Sequence, residues 1–276
     1  MKLGFNEATC MKSSTVEVDL AQCEQNGYDY IELRLEMLQD YLTRHGLDEL
    51  KEYFDTHHIK PYALNSIENI NFRTPEDWAQ LVEDFTFACE VSEVIGNPYI
   101  VVVPTIDQEL ATTKLESEIL EESVRNLKEL AEIASAYGVK LAFEAIGDRY
   151  SICNSLRLAH EIINEVNRED VGLSIDCINL YMHDKCSDVG YISKIPGEKI
   201  VLFHICDCED LPLGVLNHSN RLMPGDGCIP IQEIIDALHG VGFDEIASVE
   251  LFREEYWNMP PAEVIEMAAD KTRQFL

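Results

Sequence analysis

The sequence predicts an α/β protein, a TIM (β/α)8 barrel that occupies residues 1–276 as one domain. Three observations support this fold: eight apolar segments of strand length, their alternation with helical segments, and a total length typical of one α/β barrel. Apolar residues make up 46% of the chain, which is enough for a full core. No linker rich in proline or glycine divides the sequence, which agrees with a single domain.

The predicted strands are short runs of β-branched and apolar residues, as is typical of buried strands. In chain order they are KLGFN, YDYIELRL, IKPYALNS, PYIVVVP, VKLAFE, VGLSID, KIVLFHI and EIASVEL. A doubly wound sheet is the alternative fold. It usually has fewer strands, and the glycine-rich phosphate loop that follows its first strand is missing from this sequence.

A helical segment follows each strand. The helix after the fourth strand repeats apolar residues at spacings of three and four from Leu120 to Ala134, which is the α-helical period. The run Thr74-Pro75-Glu76-Asp77 is a typical helix start, because proline fits the first turn and acidic residues favour it. Other helices are predicted over 16–25, 155–166 and 231–238, near 189–195 and from residue 261.

The composition limits the class of partner. The chain has 51 acidic and 21 basic residues, and a formal net charge of −30 repels nucleic acid and acidic membrane surfaces. No apolar run approaches the roughly 18 residues of a membrane span, and the start MKLGFNEAT lacks the apolar segment of a signal peptide. Nine scattered cysteines are expected to be thiols. We therefore expect a cytoplasmic protein without nucleic-acid or membrane partners.

Four predicted strands in the second half of the chain end in a residue that can bind a metal ion: Glu144, Asp176, His204 and Glu250. A charged side chain at the end of a buried strand is costly unless a partner compensates it. In a TIM barrel the carboxyl ends of the strands meet on one face, where active sites lie. One such residue alone would favour a salt bridge or a helix cap, but four together predict one jointly bound divalent ion.

Three carboxylates and one imidazole make a site of mostly oxygen ligands. Such a site suits Mn²⁺, Mg²⁺ or Co²⁺ and accepts Zn²⁺, and we expect Mn²⁺ here. A substrate with a carbonyl beside a hydroxyl group would bind the metal through both oxygens, which acidifies the adjacent C–H bond. A carboxylate can then remove that proton and leave an enediolate. Glu144 and Glu250 are the predicted catalytic base and acid, in either order.

A long polar loop, HICDCEDLPLGVLNHSNRLMPGDG, includes the end of the seventh strand, and loops of this kind are often functional. Asp207 is predicted to orient His204 or to bind a substrate hydroxyl group. Arg221 is predicted to donate two parallel hydrogen bonds to substrate oxygens. The alternative interpretation of Arg221 is an ordinary arginine on a surface loop.

Residues near the ends of three other strands could complete a pocket. Glu7 follows the first strand and Asn65 closes the third, so both are predicted to contact substrate hydroxyl groups. Tyr256 and Trp257 follow the eighth strand and are predicted to form a wall of the pocket. Ordinary packing is the alternative interpretation for each of these four residues.

Motifs spread along the whole chain resemble one known family. The segments are MKLGFNEAT, GYDYIELR, THHIKPYALN, FEAIG, DCINLY, FHICDCEDLPLG, RLMPGDG and SVELFREEYW. They resemble the inosose isomerases (2-keto-myo-inositol isomerases) of inositol catabolism, a branch of the xylose-isomerase-like TIM barrels. The resemblance covers essentially the whole chain. It implies that Arg221 contacts the substrate and that the metal ligands are Glu144, Asp176, His204 and Glu250.

Two residues depart from the pattern of that family. Close relatives read D-x-x-H after the sixth strand, and their histidine contacts the substrate, whereas this chain has Asn179 three residues after Asp176. Asparagine can hydrogen-bond a hydroxyl group but cannot titrate near neutral pH. We therefore expect Asn179 to bind substrate without exchanging a proton. The second departure is Cys206, where relatives often have aspartate.

The site and the resemblance together predict a metal-dependent isomerase that moves a carbonyl between adjacent carbons of a keto-inositol (inosose) or related sugar. Alternatives that use similar chemistry are a free ketose 3-epimerase, a hydroxypyruvate-type sugar isomerase and a 3-keto-glycoside lyase. A non-catalytic sugar-binding barrel stays open because of Asn179. A DNA-repair endonuclease of the same superfamily is opposed by the net charge of −30. The expected partner is a small polyol or sugar, and barrels of this kind often form homodimers.

Overall fold

The computed structural model describes residues 1–276 and contains a closed barrel of eight parallel strands. Each strand pairs with its neighbours in sequence, and the last strand pairs with the first to close the barrel. The predicted fold is therefore confirmed. The strands are β1 (Lys2–Asn6), β2 (Tyr30–Arg34), β3 (Lys60–Ile67), β4 (Tyr99–Val102), β5 (Lys140–Glu144), β6 (Val171–Asp176), β7 (Ile200–Ile205) and β8 (Ile246–Val249).

Helices connect successive strands and pack against the barrel and against one another. In chain order they are α1 (Val16–Gln25), α2 (Leu35–Leu42), α3 (Leu47–Thr56), α4 (Pro75–Ile95), α5 (Gln108–Thr113), α6 (Glu116–Ser135), α7 (Leu156–Val166), α8 (Cys177–Asp184), α9 (Ile231–Gly240), α10 (Glu254–Trp257) and α11 (Pro261–Thr272). The start of α4 shows how the local sequence works, because the Thr74 hydroxyl accepts the N–H of Asp77 at 3.2 Å.

The structure differs from the prediction around β2 and β6. The second strand ends at Arg34 and a helix begins at Leu35, where the sequence had suggested continued strand. Helix α8 begins directly after β6, because Oδ1 of Asp176 accepts the N–H of Asn179 at 2.9 Å and caps it. The short helix predicted near 189–195 is a 3₁₀ helix, Val189–Lys194. Asp176, a predicted metal ligand, therefore also caps the first turn of α8.

The long loop after β7 contains a small antiparallel hairpin that the sequence did not reveal. Its two strands are Asp207–Cys208 and Arg221–Leu222. The Asp207 carboxylate accepts backbone N–H groups of Gly225 and Ile229, at 3.1 and 2.8 Å. This buried carboxylate therefore fixes the loop and brings Arg221 beside the end of the barrel.

The apolar side chains of the strands and of the inner helix faces form one continuous core. All nine cysteines are free thiols, and eight of them are buried within or beside this core. No helix combines the length and the apolar composition that crossing a membrane requires.

Two carboxyl groups near the start of the chain, those of Glu7 and Asp19, are also buried. Asp19 on α1 is inaccessible to solvent and accepts a hydrogen bond from the Ser14 hydroxyl at 2.5 Å. Burial raises the pKa of Asp19 to about 7. Burial and the nearby Asp19 raise the pKa of Glu7 well above its usual value. Oδ2 of Asp19 and Oε1 of Glu7 have no hydrogen-bond partner, so the fold favours protonated carboxyl groups here.

We expect the substitution Asp19→Asn to flatten the pH dependence of stability. The pKa of Asp19 is about 7 in the folded chain, against about 3.9 in an unfolded one. The protonated Asp19 side chain therefore stabilises the fold fully at low pH. This contribution to the free energy of unfolding is lost as the pH rises from about 3.9 to about 7. The free energy of unfolding of the wild type should fall, relative to that of the variant, by about 1.4 kcal/mol per pH unit.

Urea unfolding between about pH 5 and pH 7 measures this difference. Asp48→Asn, at an exposed aspartate on α3, is the matched control and should run parallel to the wild type. An Asp19→Asn curve that also runs parallel would show that the folded chain does not hold this proton.

Candidate metal centre

The four predicted ligands converge at one end of the barrel. Glu144 ends β5, Asp176 ends β6, His204 lies near the end of β7, and Glu250 follows β8. Their ligand atoms lie within 4.8 Å of one another, and all four side chains are buried. Nδ1 of His204 is 3.0 Å from Oε2 of Glu144, 3.6 Å from Oε2 of Glu250 and 3.7 Å from Oδ2 of Asp176. Parallel strands therefore bring together residues that are far apart in sequence.

The cluster fits a divalent metal ion. Nδ1 of His204 is buried and makes no hydrogen bond, although three carboxylates surround it. Carboxylates packed this closely away from water repel one another unless a cation compensates them. One imidazole nitrogen and three carboxylate groups suit Mn²⁺, Co²⁺ or Zn²⁺. The unpartnered Nδ1 of His204 and the three carboxylates around it are the ligands that such an ion requires.

The electrostatics favour positive charge at the centre of the cluster. Burial alone would lower the pKa of His204, but Glu250 and the other buried glutamates raise it well above its usual value. Burial raises the pKa of Glu250 to about 7, although His204 and Arg221 oppose that rise. Burial also opposes ionisation of Asp176, yet Arg221 and His204 lower its pKa. A potential that retains a proton on the imidazole also attracts a metal cation, which competes for the same nitrogen.

Neighbouring side chains hold the two glutamates in place. The Ser174 hydroxyl donates to Oε2 of Glu144 at 3.0 Å, and Nδ2 of Asn179 donates to its Oε1 at 2.8 Å. Nδ2 of Asn6 donates to Oε1 of Glu250 at 3.0 Å. These contacts limit rotation of the carboxylates, which is how metal sites keep their ligands oriented.

Arg221 is part of this cluster and is only 1% exposed, so its interpretation as a surface arginine is wrong. Its NH1 donates to Oδ2 of Asp176 at 2.7 Å, and its NH2 lies 3.0 Å from Oε2 of Glu250. NH1 also lies 3.4 Å from Sγ of Cys206, the second position that departs from the family pattern. Arg221 therefore offsets part of the negative charge of the ligands.

Asn179 is used by the protein itself in this structure. Its Nδ2 donates to Glu144, and its Oδ1 accepts the backbone N–H of Gly147 at 2.9 Å. The residue is 5% exposed. With Asp176 it lines a cavity of about 260 Å³, but it does not line the cavity of about 390 Å³ beside Glu144 and Glu250. The structure therefore assigns Asn179 a positioning contact with Glu144, whereas the sequence suggested a contact with substrate.

Asp207 does not orient His204 in this structure, because its carboxylate is occupied by the backbone of its own loop. Glu32 on β2 takes that position instead, with both carboxylate oxygens 3.1 Å from Nε2 of His204. The predicted contact of Asp207 with His204 is wrong because the turn that follows Asp207 presents several N–H groups to it. A backbone N–H group is a close and favourable partner for a buried carboxylate.

Two other predicted substrate contacts also lie outside the cavity. Oε2 of Glu7 accepts the backbone N–H of Arg34 at 2.7 Å. Nε1 of Trp257 donates to the carbonyl of Ala8 at 2.9 Å. Glu7 therefore joins the turn after β1 to the end of β2, and Trp257 joins α10 to the same turn, as the packing alternative suggests.

A cavity of about 390 Å³ opens above Glu144 and Glu250. Residues near the ends of β2 and β3, or just after β3, give it polar groups. Residues from β4 and from the loops after β4 and β5 give it apolar ones. The polar set is Arg34, Asn65, Ser66, Glu68 and Asn69. The apolar set is Val101, Val103, Pro104, Ile106 and Ile146. Asn65 is thus placed where a substrate contact was predicted.

Sequence reasoning missed Glu32, Arg34 and Phe252, of which Arg34 and Phe252 line the cavity. Glu32 had a usable signal, since it is a charged residue inside the buried strand Tyr30–Arg34. The rule that selected the four ligands, a costly charge in an apolar run, applies equally to it. Phe252 had no such signal, because an aromatic residue after a strand is ordinary.

Comparison with known proteins agrees with the fold. A family model described as a xylose isomerase-like TIM barrel matches residues 20–275. The inosose isomerases of Bacillus velezensis and Bacillus subtilis are 39% and 40% identical to this chain over 273 residues. Those matches cover 99% of this chain and 96% of each relative.

A solved structure of the IolI protein with a bound zinc atom superimposes on the chain with a TM-score of 0.96 at 39% identity. The superposition covers 100% of this chain and 98% of that one. D-psicose 3-epimerase of Enterocloster bolteae is 24% identical over 237 residues, which are 82% of this chain and 73% of that protein. The chain therefore belongs to the xylose-isomerase-like TIM barrel family.

Proposed function

We propose that this isomerase interconverts keto-inositols (inososes) by moving the carbonyl between adjacent ring carbons. The observation that carries the proposal is the placement of Glu144 and Glu250. Both belong to the cluster of potential metal ligands, and both also line the cavity of about 390 Å³. Relatives named inosose isomerases, 39% to 40% identical over 99% of the chain, support the substrate class.

The reaction requires a proton to leave one carbon and return to its neighbour. A bound divalent ion supplies Lewis acidity, which makes the C–H beside a ketone easier to ionise. One of Glu144 and Glu250 removes that proton, and the other returns a proton to the former carbonyl carbon of the enediolate. A proton also passes between the two oxygens, which completes the exchange of ketone and alcohol.

The lining of the cavity suits a puckered six-membered ring that carries hydroxyl groups around its edge. Arg34 and Asn65 present polar groups to hydroxyls, while Val101 and Ile146 belong to the apolar set that can pack against C–H groups. Arg221 also lines the cavity, so a substrate oxygen can approach its guanidinium group. These features support the predicted contacts of Arg221 and Asn65 with substrate.

A divalent ion is supported by the cluster and by the zinc atom of the similar structure. We propose Mn²⁺ as the working ion, since mostly oxygen ligands with one nitrogen suit it, and Zn²⁺, Co²⁺ and Mg²⁺ are the alternatives. Metal content of protein purified without added metal distinguishes them. A role in inositol catabolism in the cytoplasm follows from the proposed substrate and belongs to the same proposal.

A free ketose 3-epimerase is the second candidate, because D-psicose 3-epimerases are among the relatives. It would use the same pair of glutamates but would return the proton to the carbon that lost it, on the opposite face. The identity is lower, 24% against 40%, which favours the inosose.

Deuterium exchange tests the proposed function. In D₂O with Mn²⁺, we expect the protein to place deuterium on the carbons beside the ketone of an inosose and to form the isomeric inosose. NMR of the recovered substrate measures both. Removal of the metal with a chelator should stop the exchange, and added Mn²⁺ should restore it.

D-Psicose and D-fructose are the comparison substrates in that experiment. Deuterium exchange into these ketoses, without exchange into any inosose, would reject the inosose isomerase and support the ketose 3-epimerase. Exchange into neither class would reject both proposals.

We expect Glu144→Gln and Glu250→Gln each to lower kcat/KM for the inosose by about a thousandfold, within the range for loss of a general acid or base. Each change also removes a charged metal ligand, so metal content must be measured alongside activity. Glu245→Gln, at an exposed glutamate just before β8, is the matched control and should keep full activity. A metal-loaded Glu144→Gln or Glu250→Gln protein with normal turnover would contradict the assigned roles.

We expect Asn179→Ala to lower kcat by tenfold to a hundredfold with little change in KM. The variant removes a hydrogen bond to a charged carboxylate, which is worth about 1.5–3 kcal/mol. Steady-state kinetics at saturating metal separate the two parameters. A raised KM at constant kcat would instead show that Asn179 contacts the substrate, as the sequence suggested.

A further inference from the structure

Glu32 is a buried carboxylate that the proposed reaction does not use. It lies in the middle of β2, is 0% exposed, and belongs to the polar end of the barrel. Both of its oxygens are 3.1 Å from Nε2 of His204. The other ring nitrogen of His204, Nδ1, faces the three ligand carboxylates. The imidazole ring therefore lies between Glu32 and the three ligand carboxylates.

We infer that Glu32 is a positioning residue that fixes the tautomer and the orientation of His204 for metal binding. A neutral imidazole carries one proton, and only the nitrogen without it can bind a metal. A carboxylate at Nε2 holds the proton there and leaves the lone pair of Nδ1 free. It also increases the electron density of the ring, which strengthens the metal bond.

Glu32 is not itself a ligand in this arrangement. The cluster of mutually close ligand atoms contains Glu144, Asp176, His204 and Glu250 but not Glu32. The two ring nitrogens of an imidazole point in divergent directions, so a group bonded to Nε2 lies away from an ion on Nδ1. Glu32 would therefore act on a bound ion only through the imidazole ring.

Glu32 is itself held in place by the wall of the cavity. Nδ2 of Asn65 lies 3.4 Å from Oε2 of Glu32, and Oδ1 of Asn65 accepts a hydrogen bond from NH1 of Arg34 at 3.0 Å. Asn65 and Arg34 both line the cavity. A chain of side chains thus connects the polar wall of the cavity to the histidine ligand.

The test measures metal binding without substrate, so it stands whether or not the inosose reaction is right. Glu32→Gln keeps the size of the side chain but removes its charge, and we expect its affinity for Zn²⁺ and for Mn²⁺ to fall by tenfold to a hundredfold. Competition with a chromophoric chelator gives the dissociation constants. Glu32→Asp, which keeps the carboxylate, should recover part of the lost affinity.

Asp19→Asn is the control, since it neutralises a buried carboxylate that does not touch the cluster, and its metal affinity should stay within twofold of the wild type. Circular dichroism and thermal unfolding verify that each variant is folded. Unchanged metal affinity in folded Glu32→Gln would overturn the inference.

A second measurement needs no variant. Long-range ¹H–¹⁵N NMR of the zinc-loaded wild type shows which nitrogen of His204 carries the proton. We expect the proton on Nε2, beside Glu32, and zinc on Nδ1. A proton on Nδ1, or zinc on Nε2, would overturn the inference even where Glu32→Gln fails to fold.

Discussion

The structure depends on one electrostatic constraint, the concentration of buried negative charge at the carboxyl end of the barrel. Glu144, Asp176 and Glu250 meet around a single imidazole nitrogen, and Glu32 lies on the other side of that ring. Arg221 is the one buried arginine that pairs with these ligands. An apolar barrel interior cannot solvate such charges, so they are tolerated only where cations and hydrogen-bond donors surround them. A divalent ion held by these residues would complete that compensation.

The same constraint explains the polar residues around the ligands. Ser174 and Asn179 donate to Glu144, Asn6 donates to Glu250, and Glu32 accepts from or pairs with the imidazole. Each partner lies on a strand, or within the first residues after one, so each is fixed by the sheet. Because little reorganisation is then needed when substrate arrives, the two glutamates proposed to transfer protons are already held in place beside the cavity.

The barrel and its four ligands could be predicted from sequence because both follow from local patterns. Apolar runs that end in Glu144, Asp176 and His204 are visible in the sequence, and barrel geometry supplies their convergence. The partners of those ligands could not be assigned, because they depend on side-chain direction. Asp207 was predicted to orient His204, but backbone N–H groups of its own turn bond its carboxylate instead. The hairpin that buries Arg221 was hidden for a different reason, since its strands are only two residues long.

The charges around the cavity also select among substrates that share the enediolate chemistry. Arg34 pairs with Glu36 at 2.8 Å, and Arg221 pairs with two metal-cluster carboxylates. Burial and the neighbouring Arg221 lower the pKa of His218 to about 4, so this third basic residue of the cavity is uncharged at neutral pH. A phosphate or carboxylate group would meet no unpaired cation there, in a chain whose net charge is −30. The cavity therefore favours a neutral keto-polyol over a phosphorylated sugar, because hydroxyl groups need only the hydrogen bonds that its polar wall provides.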